Sequence, residues 1–421
     1  MITLLAVTLA VATMAEPLPN TLSPAEHAAG WKLLFDGTNS PSLRAYRKEG
    51  FPWAIEDAAI KVVPGKGDIV TLDQYADFEF QLEWKATPKA NSGIIYRVAE
   101  KNEFTWMTGP EFQILDDAGH AGNLKAIQSA GAMYDFVEPP ADKVIHPAGQ
   151  WNHARIWVKD GLVKHFINGQ KTAEVRIDGQ GWKDQIAKTK FAPFEGFGVQ
   201  ANGHIAIQDH GDILFYRNIK VRDLSRPAGP SKPLFDGQSL AGWTAVMPSV
   251  DPSVKDPASV WTTADGTLVS PRRMLGYLRT NADYTRYLLT LQWRWDPTTK
   301  RTGNSGVLLA VTGEEKVWPS CLEAQLMHQK SGDFWNIGNL PLTSDPARTK
   351  GGNVRAMSDA ERPVGEWNEY QILVDAGSVT LNVNGELVNS ITGFTPVPGK
   401  IALQAEGTEI HFRDIRITPL D

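Results

Sequence analysis

Phe78-Glu79-Phe80-Gln81-Leu82-Glu83-Trp84 alternates apolar and polar side chains at every step. Successive side chains of a strand point to opposite faces, so this stretch predicts a strand burying Phe78, Phe80, Leu82 and Trp84. Tyr287, Leu289, Leu291, Trp293 and Trp295 repeat the pattern later in the chain. Between the two, Arg155-Ile156-Trp157-Val158 and Val163-Lys164-His165-Phe166-Ile167 flank Lys159-Asp160-Gly161, and Asn168-Gly169 follows. Asp-Gly and Asn-Gly pairs between β-rich runs are the strongest short-range hairpin signal. Many short strands, frequent turn signals and few stretches of helical period predict an all-β fold, a sandwich or jelly roll.

Self-comparison sets the organisation. Leu33-Leu34-Phe35-Asp36-Gly37 returns as Pro233-Leu234-Phe235-Asp236-Gly237, an offset of 200. Asn91-Ser92-Gly93 returns as Asn304-Ser305-Gly306 (213), and Glu111-Phe112-Gln113 as Glu323-Ala324-Gln325 (212). Gly149-Gln150-Trp151-Asn152 and Asn168-Gly169 return at 216, and Arg217-Asn218-Ile219 as Arg413-Asp414-Ile415 at 196. Landmarks in one order with drifting offsets predict two copies of one domain, over 16–224 and 233–421. The Pro-rich stretch 225–232 reads as the linker.

The chain has 421 residues, 42% hydrophobic and 21% charged, with 14 Trp, which suits globular domains rather than a disordered chain. Its formal net charge of −6 and lack of any Lys/Arg block exclude nucleic acid and anionic membrane as natural partners. No apolar stretch is long enough for a transmembrane helix. Ile2 to Ala15 is an apolar run ending in small residues before Glu16, Pro17 and Pro19. We read residues 1–15 as a signal peptide and the protein as secreted or periplasmic. Cys321 is the single cysteine, so no intrachain disulfide forms, and its strand-like surroundings suit a buried filler.

Three groups of residues have chemical potential. In Gly109-Pro110-Glu111-Phe112-Gln113-Ile114-Leu115, alternation puts Glu111 and Gln113 on one face and Phe112 and Ile114 in the core. Asp116, Asp117 and His120 follow. Two carboxylates and an imidazole so close can hold a divalent cation or a proton-transfer pair; the alternative is an Asx-type turn with a solvated His. Lys125, Tyr134 and Asp135 lie in the polar stretch beyond, a candidate cleft lining. Gln208-Asp209-His210-Gly211 interrupts an apolar closing strand, at a loss of strand propensity. It reads as a general base, His210, oriented by Asp209, or as a polar strand end beside a bulge. The second copy has Ala405-Glu406 where the first has Asp209-His210, which points to the first copy as the catalytic one.

These motifs together resemble a known family. FDG, NSGI (91–94), GPEFQILDD (109–117), AGAMYD (130–135), PAGQWN (147–152) and IQDHGDILFYRNIKV (207–221) are similar to the 3-keto-disaccharide hydrolase domain. The resemblance implies two tandem concanavalin- or glucanase-like jelly-roll β-sandwiches acting on glycosides whose C3 hydroxyl is already a ketone. Such a ketone acidifies the C2 hydrogen, so a base can start β-elimination of the C1 oxygen, and water then adds back. That chemistry needs a base, an oxyanion stabiliser and an acid for the leaving group. His210 is the candidate base. Glu111, Asp117 and His120 are the further catalytic candidates, and Asp116, Asp117 and His120 the candidate cation ligands. Gln113, Lys125, Tyr134, Asp135, Trp106 and Asp209 are candidate substrate contacts, and Trp106 suits sugar stacking and core packing equally.

Gly-x-Ser-x-Gly, phosphate-cradling and His-Glu-x-x-His motifs are missing, and no carboxylate pair marks a conventional retaining site. The rival readings are a non-catalytic carbohydrate-binding protein and a conventional glycoside hydrolase.

Overall fold

The computed structural model describes residues 18–225, 231–248, 256–375 and 377–420. The expected signal peptide at 1–15 lies outside these, as does 226–230 of the expected linker. Backbone contacts divide the chain into two compact units, built on Trp31–Arg226 and Pro227–Asp421. Among the described residues no helix is long and apolar enough to cross a membrane.

Each unit is an antiparallel β-sandwich of the jelly-roll type. In the first, the larger sheet runs Gln170–Arg176, Leu162–Ile167, Asn152–Lys159, Phe78–Ala86, Leu214–Asp223, Ala59–Lys61, Ala54–Glu56, with Trp31–Leu33 also paired to Leu214–Asp223. The smaller runs Leu43–Ala45, Ile69–Thr71, His204–Ile207, Asn91–Val98, Glu111–Leu115. Phe78, Phe80, Leu82 and Trp84 enter the core between the sheets. Tyr96, Phe112, Ile114 and Ile207 meet them from the smaller sheet. Burying such side chains contributes about 1.5–3 kcal/mol each, which makes this alternation decisive for the fold.

Local chemistry accounts for the repeated landmarks. Asp160 and Gly161, then Asn168 and Gly169, occupy positive φ (49°, 75°, 48° and 84°), as two-residue hairpin turns require. Asn218 (53°) and Asp414 (51°) sit at the register shifts of the closing strands, where a bulge needs a residue tolerant of left-handed backbone. On the outer face of the larger sheet, Glu79 is buried between Arg155 and Arg222. Burial opposes its charge, but the two guanidinium fields prevail and hold the carboxyl at about 2.

The second unit repeats the plan with two eight-stranded sheets. One carries Tyr287–Trp295 and Ile410–Pro419 at its centre; the other carries Lys400–Glu406, Gly306–Thr312 and Ser320–Gln325. Cys321 is buried there as a free thiol, and burial pushes its pKa far up.

Candidate active site

The core face of the smaller sheet in the first unit is apolar, and its outer face carries the chemistry. Cross-strand pairing puts Val70, Ala206, Ile95 and Glu111 in one row, with Gly93 opposite Gln113 two residues along. Over that row lies a cavity of about 410 Å³, lined among others by Trp106, Glu111, Gln113, Tyr134, Lys190 and His210.

The Asn91-Ser92-Gly93 motif builds its floor. Ser92 Oγ donates to the Gln208 carbonyl (2.7 Å) and accepts from Tyr216 Oη (2.7 Å), tying the closing segment to the sheet. Asn91 Oδ1 accepts from Gln113 Nε2 at 2.9 Å and fixes that amide. Gly93 is glycine for a steric reason: a Cβ there would meet Glu111 Oε1 at 2.2 Å. Ser305 and Gly306 repeat both devices in the second unit, with Ser305 Oγ on the Gln404 carbonyl (2.8 Å) and Glu323 Oε1 2.4 Å from a Gly306 Cβ. The landmark is a socket for one glutamate.

Glu111 is only 9% exposed, and burial pushes its carboxyl up to about 8. The Lys190 charge opposes this shift, and Asp68 and Asp135 add to it. A carboxylic acid neutral at pH 7 is thus aimed into a cavity, the state a general acid requires. His210 lines the same cavity and is exposed, with no side-chain hydrogen bond to other described residues.

Lys190 stands over the Tyr134 ring at 4.3 Å, donates to Tyr134 Oη at 3.2 Å and lies 3.4 Å from Asp135. Desolvation opposes its charge, but these partners outweigh it and raise its pKa. The loop carrying Lys190 is anchored by Phe191 and Phe197, stacked at 4.2 Å, and by Trp182 Nε1 donating to the Gly198 carbonyl at 2.8 Å. Trp106 stacks on Phe104 (5.9 Å) and meets Phe194 edge-on (5.2 Å), so it packs and lines the cavity at once.

Of the residues expected from sequence, Glu111, Gln113, Trp106, Tyr134 and His210 converge on the cavity, and Asp135 stands behind Lys190. The other five, Asp116, Asp117, His120, Lys125 and Asp209, lie elsewhere. Asp116 accepts from the Lys89 amide (2.8 Å), and Asp117 accepts from the Ala130 amide (2.9 Å) and pairs with Lys143 (2.8 Å). His120 bonds the Lys89 carbonyl (2.9 Å). Their ligand atoms do not converge; among the described residues the group of three that does is Asp296, Glu409 and His411. In this structure the 116–120 residues hold a loop in place through the Lys89 and Ala130 backbone and Lys143. Lys125 is exposed outside the cavity, and the lysine that lines it is Lys190.

Asp209 does not orient His210. Its carboxylate accepts from the Gly67 (2.9 Å) and Gly211 (3.0 Å) amides. The acid that feels His210 is Asp68, whose pKa burial raises and His210 lowers, and which accepts from Thr105 Oγ1 and the Asp209 amide. Sequence reasoning missed Asp68 and Lys190. Asp68 gave no signal, but Lys190 had one. The repeat offset falls from 216 to 196 between Asn168 and Arg217, which marks an insert in the first copy, and that insert carries Lys190, Phe191 and Phe194.

The sequence pattern of the 3-keto-alpha-glucoside-1,2-lyase-like domain matches this chain twice, over 30–222 and 230–418. The chain belongs to that family. A 3-keto-disaccharide hydrolase of Bacteroides thetaiotaomicron is 32% identical over 232 residues, covering 47% of this chain and 79% of that protein. A crystal structure of a provisionally named glycosyl hydrolase from Parabacteroides distasonis is similar over 49% of this chain and 99% of its own, at 30% identity and a TM-score of 0.45. A second one from that organism covers 46% of this chain and 99% of its own, at 28% identity and a TM-score of 0.38. Family membership makes this a carbohydrate-active chain, and within it the two matches fall one on each sandwich.

Proposed function

We propose that the first unit cleaves glycosides carrying a C3 ketone, by elimination followed by hydration. His210 takes the C2 proton, and the C–H electron pair becomes an enolate with its charge on the C3 oxygen. Lys190 and the Tyr134 hydroxyl face that charge. The enolate then collapses to a C1–C2 double bond as the C1–O bond breaks, and Glu111 gives its proton to the departing oxygen. Water adds at C1, with Glu111, now a carboxylate, taking its proton, and His210 returns a proton to C2. Bond changes and protons balance, and no redox partner is needed. Trp106 and Phe194 bound the cavity where an apolar sugar face would rest.

The observation that carries this reading is the buried, neutral Glu111 sharing one cavity with His210 and the Lys190–Tyr134 pair. Glu111 is the one carboxyl among the lining residues of this cavity, which supports elimination over the conventional route, since that route needs an acid and a second carboxylate flanking the bond. The test is product analysis with a 3-keto-glucoside beside its unoxidised parent in D₂O. We expect cleavage of the keto-sugar alone, with deuterium entering C2. Cleavage of the parent at a similar rate would overturn the proposal. We also propose export, which the apolar run Ile2–Ala15 supports. Cell fractionation tests it, and full retention of the intact chain in the cytoplasm would refute it.

A further inference from the structure

In the second unit, the matching outer face carries its own cavity of about 680 Å³, lined by Glu323, Gln325, Trp318, Trp335, Asp333 and Glu406 among others. Register places Leu308, Glu323, Trp335 and Asn353 in one row across the sheet, so Trp335 and Glu323 are direct cross-strand neighbours on one face, and both line the cavity. Trp335 and Trp318 are 40% and 48% exposed, in contrast to the Trp residues buried in the core. Glu323 is 4% exposed, and its Oε1 has no hydrogen-bond partner; Oε1 of Gln404, on the same face, has none either. A buried acceptor left unpaired costs about 1–3 kcal/mol, so such groups point to something that completes them.

We propose that this cavity is a second, independent binding site, and that its ligand is a neutral pyranoside. A pyranoside offers hydroxyl donors to Glu323 and Gln325 while its apolar C–H face lies against an indole. A cation fits less well. Burial and the Glu406 charge hold the Glu323 carboxyl up at about 8, and the Asp333 carboxylate already accepts from the Ala356 amide (2.7 Å) and Asn353 Nδ2 (3.2 Å). The site needs nothing from the chemistry of the first unit.

The experiment uses the full chain with methyl α-glucopyranoside, methyl β-glucopyranoside and methyl α-galactopyranoside as probes. Binding is followed by saturation-transfer NMR and tryptophan fluorescence. We expect at least one probe to bind wild type and Trp106→Ala alike, and to bind Trp335→Ala about tenfold or more weakly. Should Trp335→Ala unfold the second unit, Trp318→Ala, which lies outside any strand, repeats the measurement. No binding by any of the three probes overturns the proposal. So does binding lost in Trp106→Ala and kept in the second-unit variants. Turnover of a 3-keto-glucoside by the same preparations reports on the first unit alone, so failure of either reading is separately visible.

Discussion

On the first unit's outer face, Glu111 shares its cavity with His210 and the Lys190–Tyr134 pair; on the second unit's, Glu323 shares its cavity with Glu406 and two exposed Trp residues. The sockets match: a serine tied to the closing strand, a glycine that leaves room, and a buried glutamate raised to about 8. The rims differ. The first has a 27-residue connection between Arg176 and His204 that includes the helix Gly179–Ile186, whereas the second passes from Phe394 to Lys400 almost directly. A neutral acid is therefore a property of the shared frame, and the base and the cation that would make it catalytic are additions to the rim.

The largest expected effect tests that division. His210→Ala should lower kcat by about 10²–10⁴ and leave the fold intact, because the side chain is exposed at the cavity rim. Glu406→Ala, at the equivalent place, should leave turnover of a 3-keto-glucoside within about twofold. A larger loss from Glu406→Ala would move the active site into the second unit.

Glu111→Gln comes next, with an expected fall of about 10²-fold and a changed pH profile. The wild-type rate should fall as pH rises through about 8, where the acid loses its proton, and the variant should lack that limb. Stability has its own sign. A carboxyl raised from 4.5 to about 8 binds more protons folded than unfolded across that interval. Stability therefore declines as pH rises from 4.5 to 8, and Glu111→Gln should flatten part of that decline. Glu323→Gln should flatten a similar part without touching the rate. An unchanged alkaline limb in Glu111→Gln would remove it as the acid.

Smaller still, Lys190→Met should cost about 10- to 100-fold in kcat by removing the charge facing the enolate oxygen. Lys125→Met, exposed outside the cavity, should change nothing. Exhaustive chelation should also leave the rate unaltered, because Asp116, Asp117 and His120 hold their loop through the Lys89 and Ala130 backbone. A chelation-sensitive rate would restore a cation to the mechanism.

These contrasts show why the sequence discloses some features and hides others. Strand alternation is written at spacing two, so the core faces of Phe78–Trp84 and Glu111–Leu115 are legible directly. Turn and bulge residues are legible because positive φ selects Gly, Asn and Asp. Proximity across sheets and loops carries no such period. Asp116, Asp117 and His120 are neighbours along the chain yet point to separate backbone partners, whereas Asp68, 43 residues before Glu111, shares its electrostatic field. Lys190 was findable through the offset change, a signal about loop length rather than residue type.

The smallest effect concerns the frame itself. Gly93→Ala and Gly306→Ala each place a Cβ within 2.5 Å of a glutamate Oε1, and Cγ and Cδ of the same side chain lie within 3.0 Å. The clash cannot be relieved by swinging only the carboxyl tip, since the whole side chain lies against the glycine. Overpacking of this kind typically costs about 1–3 kcal/mol. Both variants should lose stability by similar amounts in chemical denaturation, because the two sockets have the same geometry. Their rates should diverge: Gly93→Ala moves the acid and should slow turnover about tenfold, while Gly306→Ala should leave it alone. If the two stability losses differ widely, the frame is not shared as the hydrogen bonds suggest. If both variants slow turnover equally, the second glutamate takes part in the reaction, and the difference between the rims has been misread.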